Sequence, residues 1–216
     1  PSQSGELVRK TGGEFVDEVS RDTPAPGGGS IAALAGSLGA ALASMVATLT
    51  HGKEGTESRD AELARIAAGA QRVKDSLSVL IDEDTNAFNA FMEARRLPQG
   101  TAEEKALRKQ KMQDGLKIAI DVPWRTAELS FEAMQLANDA AAVGNPNSLT
   151  DAAVGVQMGF AGVRGGLWNV AINLRDLADA AYVADMKKKS EELLAKARSL
   201  ADESGSSVDA RLAKPR

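Results

Sequence analysis

Two aspartates two residues apart are the strongest candidates for acid–base chemistry in this chain, and they lie in the segment from Leu77 to Phe91. Apolar residues at positions 77, 80, 81, 88 and 91 define one face of a helix, and Asp84 falls on that face. Loss of water around an inward carboxyl group raises its pKa, which suits a proton donor or acceptor near neutral pH. Asp82 lies about 200° away around the helix axis, on the side of Asn86 and Asn89. Asp84 is therefore the predicted acid or base, although an internal cap or a buried ion pair explains an inward aspartate equally well.

Other reactive side chains are scarce. The chain contains one histidine, His51, and no cysteine, so a nucleophile–base triad lacks marked partners and thiolate chemistry is excluded. Glu54 is the one carboxylate three or four residues from His51, and a single such partner makes only a weak metal site. We interpret His51 as a residue at a helix end, where the helix dipole favours a positive charge. The sequence predicts no metal site and leaves catalysis to carboxylates.

A glycine-rich loop opens the least charged stretch of the chain. Between Asp22 and Lys53 there is no Asp, Glu, Lys or Arg, and two prolines, three glycines and a serine stand near the start of the stretch. Bare backbone N–H groups at a helix N-terminus can bind an anionic or strongly polar ligand group. The loop supplies four candidate ligand-binding residues: Gly27, Gly28, Gly29 and Ser30.

The uncharged residues after this loop are numerous enough to form a membrane helix. Their composition argues against a membrane, because Ala, Gly and Ser predominate and no Trp or Tyr marks either end. Small residues recur at near-four spacing, at positions 32, 36, 40, 43 and 47, which lets neighbouring helices approach closely. We therefore predict a fully buried central helix and no membrane span.

A second group of polar residues lies in the C-terminal half. Asn169 and Asn173 share one helix face within apolar surroundings, so their amides either satisfy backbone groups or bind a planar heterocycle. Asp151 begins the same predicted helix, where its charge is favourable, and Asn145 precedes it in a Gly-Asn-Pro turn. Asp151 and Asn169 are roughly 27 Å apart on a straight helix. Both contact one small ligand only if the helix bends, the ligand is long or a second subunit contributes.

The chain of 216 residues is long enough for one substantial core. Apolar residues recur with a helical period and no segment alternates, so we predict an all-α, single-domain bundle. Six helices are expected, at about 12–20, 28–50, 58–95, 101–144, 151–177 and 180–201. Pro123 should kink or divide the fourth, and Gly165–Gly166 should loosen the fifth. We divide the chain into a polar tail or linker (1–11), the helical domain (12–205) and a frayed tail (206–216).

The charge distribution limits the classes of partner that the protein is expected to bind. The net charge is −4, and Lys and Arg are spread along the helices, so nothing indicates binding to nucleic acid or to an acidic membrane. The lack of cysteine excludes disulfides. No secretory signal is evident in the sequence, and we expect a cytoplasmic protein.

Short segments spread over most of the chain stand in an order that resembles a known family. The family is that of formimidoyltetrahydrofolate cyclodeaminases and methenyltetrahydrofolate cyclohydrolases, seen alone or as the C-terminal domain of bifunctional formimidoyltransferase-cyclodeaminases. The resemblance extends from about Phe15 to Tyr182. It is carried by Pro24-Ala25-Pro26-Gly27-Gly28-Gly29-Ser30, Val46-Ala47-Thr48-Leu49-Thr50, Asp82-Glu83-Asp84 with Ala87-Phe88, Leu97-Pro98, Glu103-Glu104-Lys105, Val122-Pro123, Gly144-Asn145, Ser148 to Asp151, and Asn169-Val170-Ala171-Ile172-Asn173.

The resemblance implies an all-α homodimer that binds a tetrahydrofolate derivative as substrate, in a cleft near the subunit interface, without a metal or an organic cofactor. It also implies that the second Asp of Asp-x-Asp, here Asp84, is the catalytic acid/base. Lys53 or another basic residue is assigned to the glutamate tail of the folate. The expected substrate-binding residues are then Gly27, Gly28, Gly29, Ser30, Asp82, Asn145, Asp151, Asn169, Asn173 and Lys53.

Two reactions agree with this resemblance. A cyclodeaminase converts 5-formimidoyltetrahydrofolate to the 5,10-methenyl compound and ammonia, whereas a cyclohydrolase adds water to the methenyl compound and gives 10-formyltetrahydrofolate. The polar N-terminus and the turn at 144–148 resemble the bifunctional branch, so we favour a cyclodeaminase that is fused to, or associates with, a formimidoyltransferase. A non-catalytic helical module that binds folate or a protein partner is the third interpretation.

Overall fold

The computed structural model describes residues 6–214, which form six α-helices and no β-strand. Two short 3-10 turns, Pro146–Ser148 and Leu174–Asp176, border the fifth helix. The predicted all-α class is confirmed. The helices are α1 (Gly12–Val19), α2 (Gly28–Thr50), α3 (Asp60–Arg95), α4 (Ala102–Val143), α5 (Leu149–Asn173) and α6 (Ala180–Leu212).

The expectation that Pro123 divides α4 is wrong, since α4 runs unbroken from Ala102 to Val143, and a kink at Pro123 stays a prediction. Gly165–Gly166 does not interrupt α5, and the loosening of this helix stays a prediction. The last helix does not fray after Glu203 but continues to Leu212. Its C-terminal part is held because small and apolar side chains of this part of α6, among them Ala201 and Val208, are buried in the main core.

α2 is the central helix of the bundle and packs against α3, α4 and α5. It runs antiparallel to α5, because Gly28 lies beside Asn169 whereas Gly39 lies beside Gly155. A Cβ atom added to Gly39 would lie 2.6 Å from the carbonyl oxygen of Gly155. The backbones of α2 and α5 therefore meet more closely than any side chain at this position would allow.

The length and composition of α2 would let it cross a membrane, with a mean hydropathy of 1.8 over its most apolar window, but 61% of that window is buried inside the bundle. A core helix of a soluble protein passes the same test. The predicted central helix is confirmed, but the expectation that it is fully buried is wrong. One face of α2 is exposed along its whole length, at Ile31, Leu38, Met45 and Leu49.

Residues 6–10 are not a free tail, although the sequence suggested one. They form a turn in which the Lys10 N–H donates to the Leu7 carbonyl oxygen at 3.1 Å, and the Leu7 side chain is buried in the main core. The remaining residues of the predicted N-terminal tail, 1–5, and the last two residues, 215–216, lie outside the described part of the chain.

Replacing Gly39 by Ala is expected to lower the free energy of unfolding by about 1–3 kcal/mol, because the added methyl group meets backbone that cannot turn aside. Gly205→Ala on α6 is the matched control, since no heavy atom lies within 4 Å of its added Cβ. That substitution is expected to stabilise the helix by roughly 0.5–1 kcal/mol. Urea unfolding followed by circular dichroism measures both variants, and equal effects would contradict the close packing of α2 on α5.

Candidate active site

A cleft of ≈320 Å³ opens where the N-terminus of α2 meets the C-terminal third of α3 and the C-terminal half of α5. Its walls combine bare backbone, aromatic rings, two amides and one carboxyl group. The lining residues are Pro24, Ala25, Gly27, Gly28, Gly29, Asp84, Ala87, Phe88, Phe91, Ala119, Asn169, Ile172 and Asn173. The described structure thus brings together the predicted glycines, Asp84 and both asparagines of α5.

The carboxyl group of Asp84 occupies the space that a side chain at Gly29 would need. A Cβ atom on Gly29 would lie 2.1 Å from Oδ1 and 2.5 Å from the carboxyl carbon of Asp84. Gly27, the residue before α2, provides no side-chain cap. Asp84 reaches this helix start from α3 and accepts a hydrogen bond from the Ser30 backbone. The positive end of the α2 dipole therefore lies next to a carboxyl group of a different helix.

Burial raises the pKa of Asp84 above the ordinary value for aspartate, and the hydrogen bonds from the side chain and backbone of Ser30 offset only part of this shift. The protonated form is favoured in the folded protein, so the stability present at low pH is lost as the pH rises from the ordinary pKa of aspartate through the raised one. Burial of the Asp84 carboxyl group therefore lowers the stability of the folded protein at higher pH, and such a shifted pKa is typical of a functional carboxyl group.

The Ser30 hydroxyl can serve both protonation states of Asp84. Its oxygen lies 3.1 Å from Oδ2 of Asp84 and 2.9 Å from the carbonyl oxygen of Ile81. A hydroxyl group both donates and accepts. It can donate to the ionised carboxylate, or it can accept from the protonated acid while it donates to the Ile81 carbonyl.

Asn173 replaces a helix hydrogen bond that Pro123 cannot make. Proline has no N–H, so the carbonyl of Ala119, four residues earlier in α4, has no donor from its own helix. Nδ2 of Asn173 donates to this carbonyl oxygen at 2.6 Å. The Asn173 side chain is thereby fixed between α5 and α4, and its Oδ1 atom is left as a hydrogen-bond acceptor at the cleft.

Asn169 is held in a similar way within its own helix. Its Nδ2 atom donates to the carbonyl oxygen of Gly165 at 2.9 Å, and the same atom is 3.6 Å from the position of a Cβ atom on Gly28. The two amides therefore each use a donor for backbone, and each presents an oxygen as the acceptor. This was one of the two interpretations of these residues that the sequence left open, and the other, contact with a ligand, is compatible with it.

Asp82 lies outside the cleft and has a different environment from the one we expected. It is more deeply buried than Asp84, with 6% of its surface exposed. Its carboxylate oxygens accept hydrogen bonds from the backbone N–H groups of Leu7 at 2.8 Å and Val8 at 3.3 Å. The periodicity of α3 places Asp82 away from the core correctly, but it cannot show that another segment covers that side of the helix.

The other three predicted residues lie at the opposite end of the bundle. The Asn145 N–H donates to Oγ1 of Thr50, at the C-terminus of α2, and Asp151 lies in the first turn of α5. Lys53 follows the end of α2. Since α2 has 23 residues, its two ends are separated by roughly 33 Å. Within one subunit these residues do not reach the cleft.

Sequence reasoning missed two features near the cleft. The first is the carbonyl of Ala119, which lacks a donor from its own helix and accepts from Asn173 instead. A proline four residues later inside a predicted helix could have revealed it. The second is a groove of ≈450 Å³ that shares Pro24 and Phe88 with the cleft and contains Arg96. Within residues 6–214, no group of three or more His, Asp and Glu side chains is arranged to hold a metal ion.

A family model described as formiminotransferase-cyclodeaminase matches residues 11–192. The chain belongs to this family. The family resemblance stated above is thereby confirmed for the greater part of the chain.

Relatives of the formiminotransferase-cyclodeaminase family differ in length and in name. Methenyltetrahydrofolate cyclohydrolase of Methylorubrum extorquens is 40% identical over 186 residues, which cover 86% of this chain and 89% of that enzyme. Formimidoyltransferase-cyclodeaminase of Sus scrofa is 36% identical over 201 residues, 93% of this chain but 37% of its own length. The chain thus spans little more than a third of this bifunctional relative.

A solved structure has the same fold. Formiminotetrahydrofolate cyclodeaminase of Thermotoga maritima superposes with a TM-score of 0.78 at 27% identity, over 96% of this chain and 98% of that one. The names of these relatives place the family in folate one-carbon metabolism. By their names, these relatives include both lyases and a hydrolase.

The link between Pro123 and Asn173 can be tested with a double-mutant cycle. Asn173→Ala is expected to lower the free energy of unfolding by about 1–3 kcal/mol, because the Ala119 carbonyl loses its donor. In a Pro123→Ala background the new N–H of residue 123 can bond that carbonyl, so the same substitution should cost about 1 kcal/mol less. Urea unfolding of the four proteins measures the coupling, and strict additivity would show that Asn173 does not replace the missing helix bond.

Proposed function

We propose that this protein is a formimidoyltetrahydrofolate cyclodeaminase, which converts 5-formimidoyltetrahydrofolate to 5,10-methenyltetrahydrofolate and ammonia. The observation that carries the proposal is the position of Asp84: a half-buried carboxyl group of raised pKa, beside bare glycine backbone, in a cleft with aromatic walls. Membership of a folate-processing family supplies the class of substrate.

The reaction needs two proton transfers, and one carboxyl group can perform both. The formimidoyl group enters as its protonated amidinium; N10 of the substrate attacks the formimidoyl carbon, and the ionised Asp84 accepts the proton that N10 loses. Asp84 then gives a proton to the former imino nitrogen, the bond between this nitrogen and the carbon breaks, and ammonia leaves the methenyl bridge. A pKa raised toward neutrality suits an acid that must also act as a base, and Ser30 would stabilise the carboxyl group in either state.

The cleft walls suit a flat heterocycle. Gly27 to Gly29 would let the pterin ring approach the backbone, and the rings of Phe88 and Phe91 offer apolar contact. Oδ1 of Asn169 and Oδ1 of Asn173 would accept hydrogen bonds from ring N–H groups, since the Nδ2 atoms of both amides already donate to the backbone. The glutamate tail would leave along the adjoining groove toward Arg96.

Methenyltetrahydrofolate cyclohydrolase is the second candidate. It is favoured by one observation: the relative of that name matches over 89% of its own length at 40% identity. In that reaction Asp84 would take a proton from the water that attacks the methenyl carbon and give it to N5 as the bond from that carbon to N5 breaks. The hydroxyl group left on the carbon would lose its proton to solvent as the formyl C=O forms. The product would be 10-formyltetrahydrofolate.

Incubation with each folate separately distinguishes these reactions. We expect the absorbance of the methenyl compound to appear from 5-formimidoyltetrahydrofolate, with one ammonia released per turnover. Loss of that absorbance from 5,10-methenyltetrahydrofolate, with no gain from the formimidoyl compound, would instead identify the cyclohydrolase. Binding without turnover of either compound would identify a non-catalytic folate-binding module.

Asp84→Asn is expected to lower kcat by a factor of about 10²–10⁴, because an amide cannot exchange a proton near neutral pH. Folate affinity, measured by calorimetry, should change little, since the amide keeps the shape of the carboxyl group. Glu83→Gln is the control: Glu83 is the neighbouring acid on α3, and its carboxylate pairs with Arg125, so activity should be retained. A fully active Asp84→Asn enzyme would remove Asp84 from the mechanism.

We further propose that the active form is a homodimer joined through α2 and α5. Both helices expose large apolar residues, between 37% and 63% of each being accessible, and α2 contains no charged residue to oppose burial. Ile172 belongs to this face and also lines the cleft, so a partner on the face would border the site. The face comprises Ile31, Leu38, Met45 and Leu49 of α2 with Val154, Trp168 and Ile172 of α5.

A second copy would also account for the polar residues at the far end of the bundle. In a dimer with a two-fold axis across the middle of α2, each copy places its far end over the cleft of the other. Asp151 and Asn169 are separated by 18 residues of one helix, which is five full turns, so they lie on the same side of α5. Asn145, Asp151 and Lys53 of one subunit would then meet the folate held by Asp84 of the other.

Mixing two inactive variants tests whether the site is shared. Asp84→Asn and Asp151→Asn subunits should each be nearly inactive alone. After unfolding and refolding together, half of the dimers are mixed and each has one intact site, so about a quarter of the wild-type activity should return. Mass measurement with a tag on one variant confirms that mixed dimers form. A monomeric wild-type protein, or mixed dimers without activity, would contradict the shared site.

A further inference from the structure

We infer that Asp82 is a positioning residue, whose carboxylate fastens residues 6–10 behind the loop that walls the cleft. Asp82 bonds two consecutive backbone N–H groups, those of Leu7 and Val8, from 75 and 74 residues away in the chain. A carboxylate has two oxygens that accept in a fork, which matches two neighbouring N–H groups. A charged group this deeply buried is retained only when it is fully bonded.

The fastened segment lies on the far side of the cleft wall. Ala25 lines the cleft on one side. On the other side it borders a cavity of ≈170 Å³, whose walls also include Leu7, Pro26 and Asp82. The loop therefore has the cleft on one side, and on the other a cavity that it shares with the segment held by Asp82.

Few other contacts could hold the segment in this place. The Leu7 side chain is buried in the main core, and Nζ of Lys10 pairs with Glu18 of α1 at 3.1 Å. Both of those contacts tie the segment to its surroundings. In the described part of the chain, its backbone is hydrogen-bonded to α3, the helix that also carries Asp84, through the Asp82 carboxylate. Asp82 thus sets the distance between the loop and the proposed acid.

Hydrogen exchange of backbone amides tests the inference without reference to any substrate. In Asp82→Asn the side-chain NH2 group faces one of the two N–H groups, so one bond is lost. We expect amides in residues 6–10 and in residues 23–29 to exchange about tenfold faster than in the wild type. Asp75→Asn is the matched control, because Asp75 lies on the same helix, is largely exposed and pairs with its neighbour Lys74. Exchange should be unchanged in this variant.

Kinetics separate positioning from stability, and this part rests on the function proposed above. If the loop supports binding, Asp82→Asn should raise KM for the folate about three- to tenfold with kcat nearly unchanged. A chain that lacks residues 1–10 should show the same increase, and adding Asp82→Asn to it should change KM no further. This deletion also provides the test if Asp82→Asn does not fold.

The outcomes are distinct. Faster exchange in 23–29 together with a raised KM supports the inference. Unchanged exchange in 23–29, or a lower melting temperature with KM unchanged, overturns it and leaves Asp82 a stability residue. If the wild-type protein turns over neither folate, the proposed function fails, and the exchange of residues 23–29 still decides the role of Asp82.

Discussion

Where α2 crosses its neighbours, atoms of other helices occupy the space that a Cβ atom would need. At Gly39 the intruding atom is a carbonyl oxygen of α5, and at Gly29 it is the carboxyl group of Asp84. The absence of a side chain thus permits close packing in the middle of the helix and brings an acid to its end. The same closeness leaves no space for a charged side chain on the packed faces of α2, and the carboxylate that favours its N-terminus comes from α3.

Two carboxylates on one turn of α3 differ because different groups cover them. The oxygens of Asp82 are engaged by two backbone N–H groups, so its hydrogen-bonding capacity is used within the protein. Within residues 6–214, the hydrogen bonds to the Asp84 carboxyl group come from Ser30; the group opens onto the cleft, and burial raises its pKa. The two residues are near neighbours in the sequence, but the groups that the tertiary structure places around each carboxyl group give them different environments.

Much of the fold could be read from the sequence, because helical periodicity and caps are local signals. The span of α2 and the capping box at Thr101 agree with the structure. The inward position of Asp84 was also predictable, since it depends only on the period of α3. What could not be predicted depends on distant contacts: the cover that residues 6–10 place over Asp82, the extension of α6 to Leu212 by packing, and the donor that α5 provides to α4 at Pro123. Single-sequence patterns carry no information about such partners.

Pro123 changes a hydrogen bond within one helix into a bond between two. Contacts between small residues, such as those along α5, have few protruding side chains to stop one helix from sliding along another. The bond from Asn173 to the Ala119 carbonyl is directional and fixes the axial position of α5 against α4. Asn169 lies one turn before Asn173 on the same helix, so the same bond also fixes the position of Asn169 along the axis of α5. A proline in the interior of α4 thereby fixes where Asn169 and Asn173 of α5 lie along the cleft.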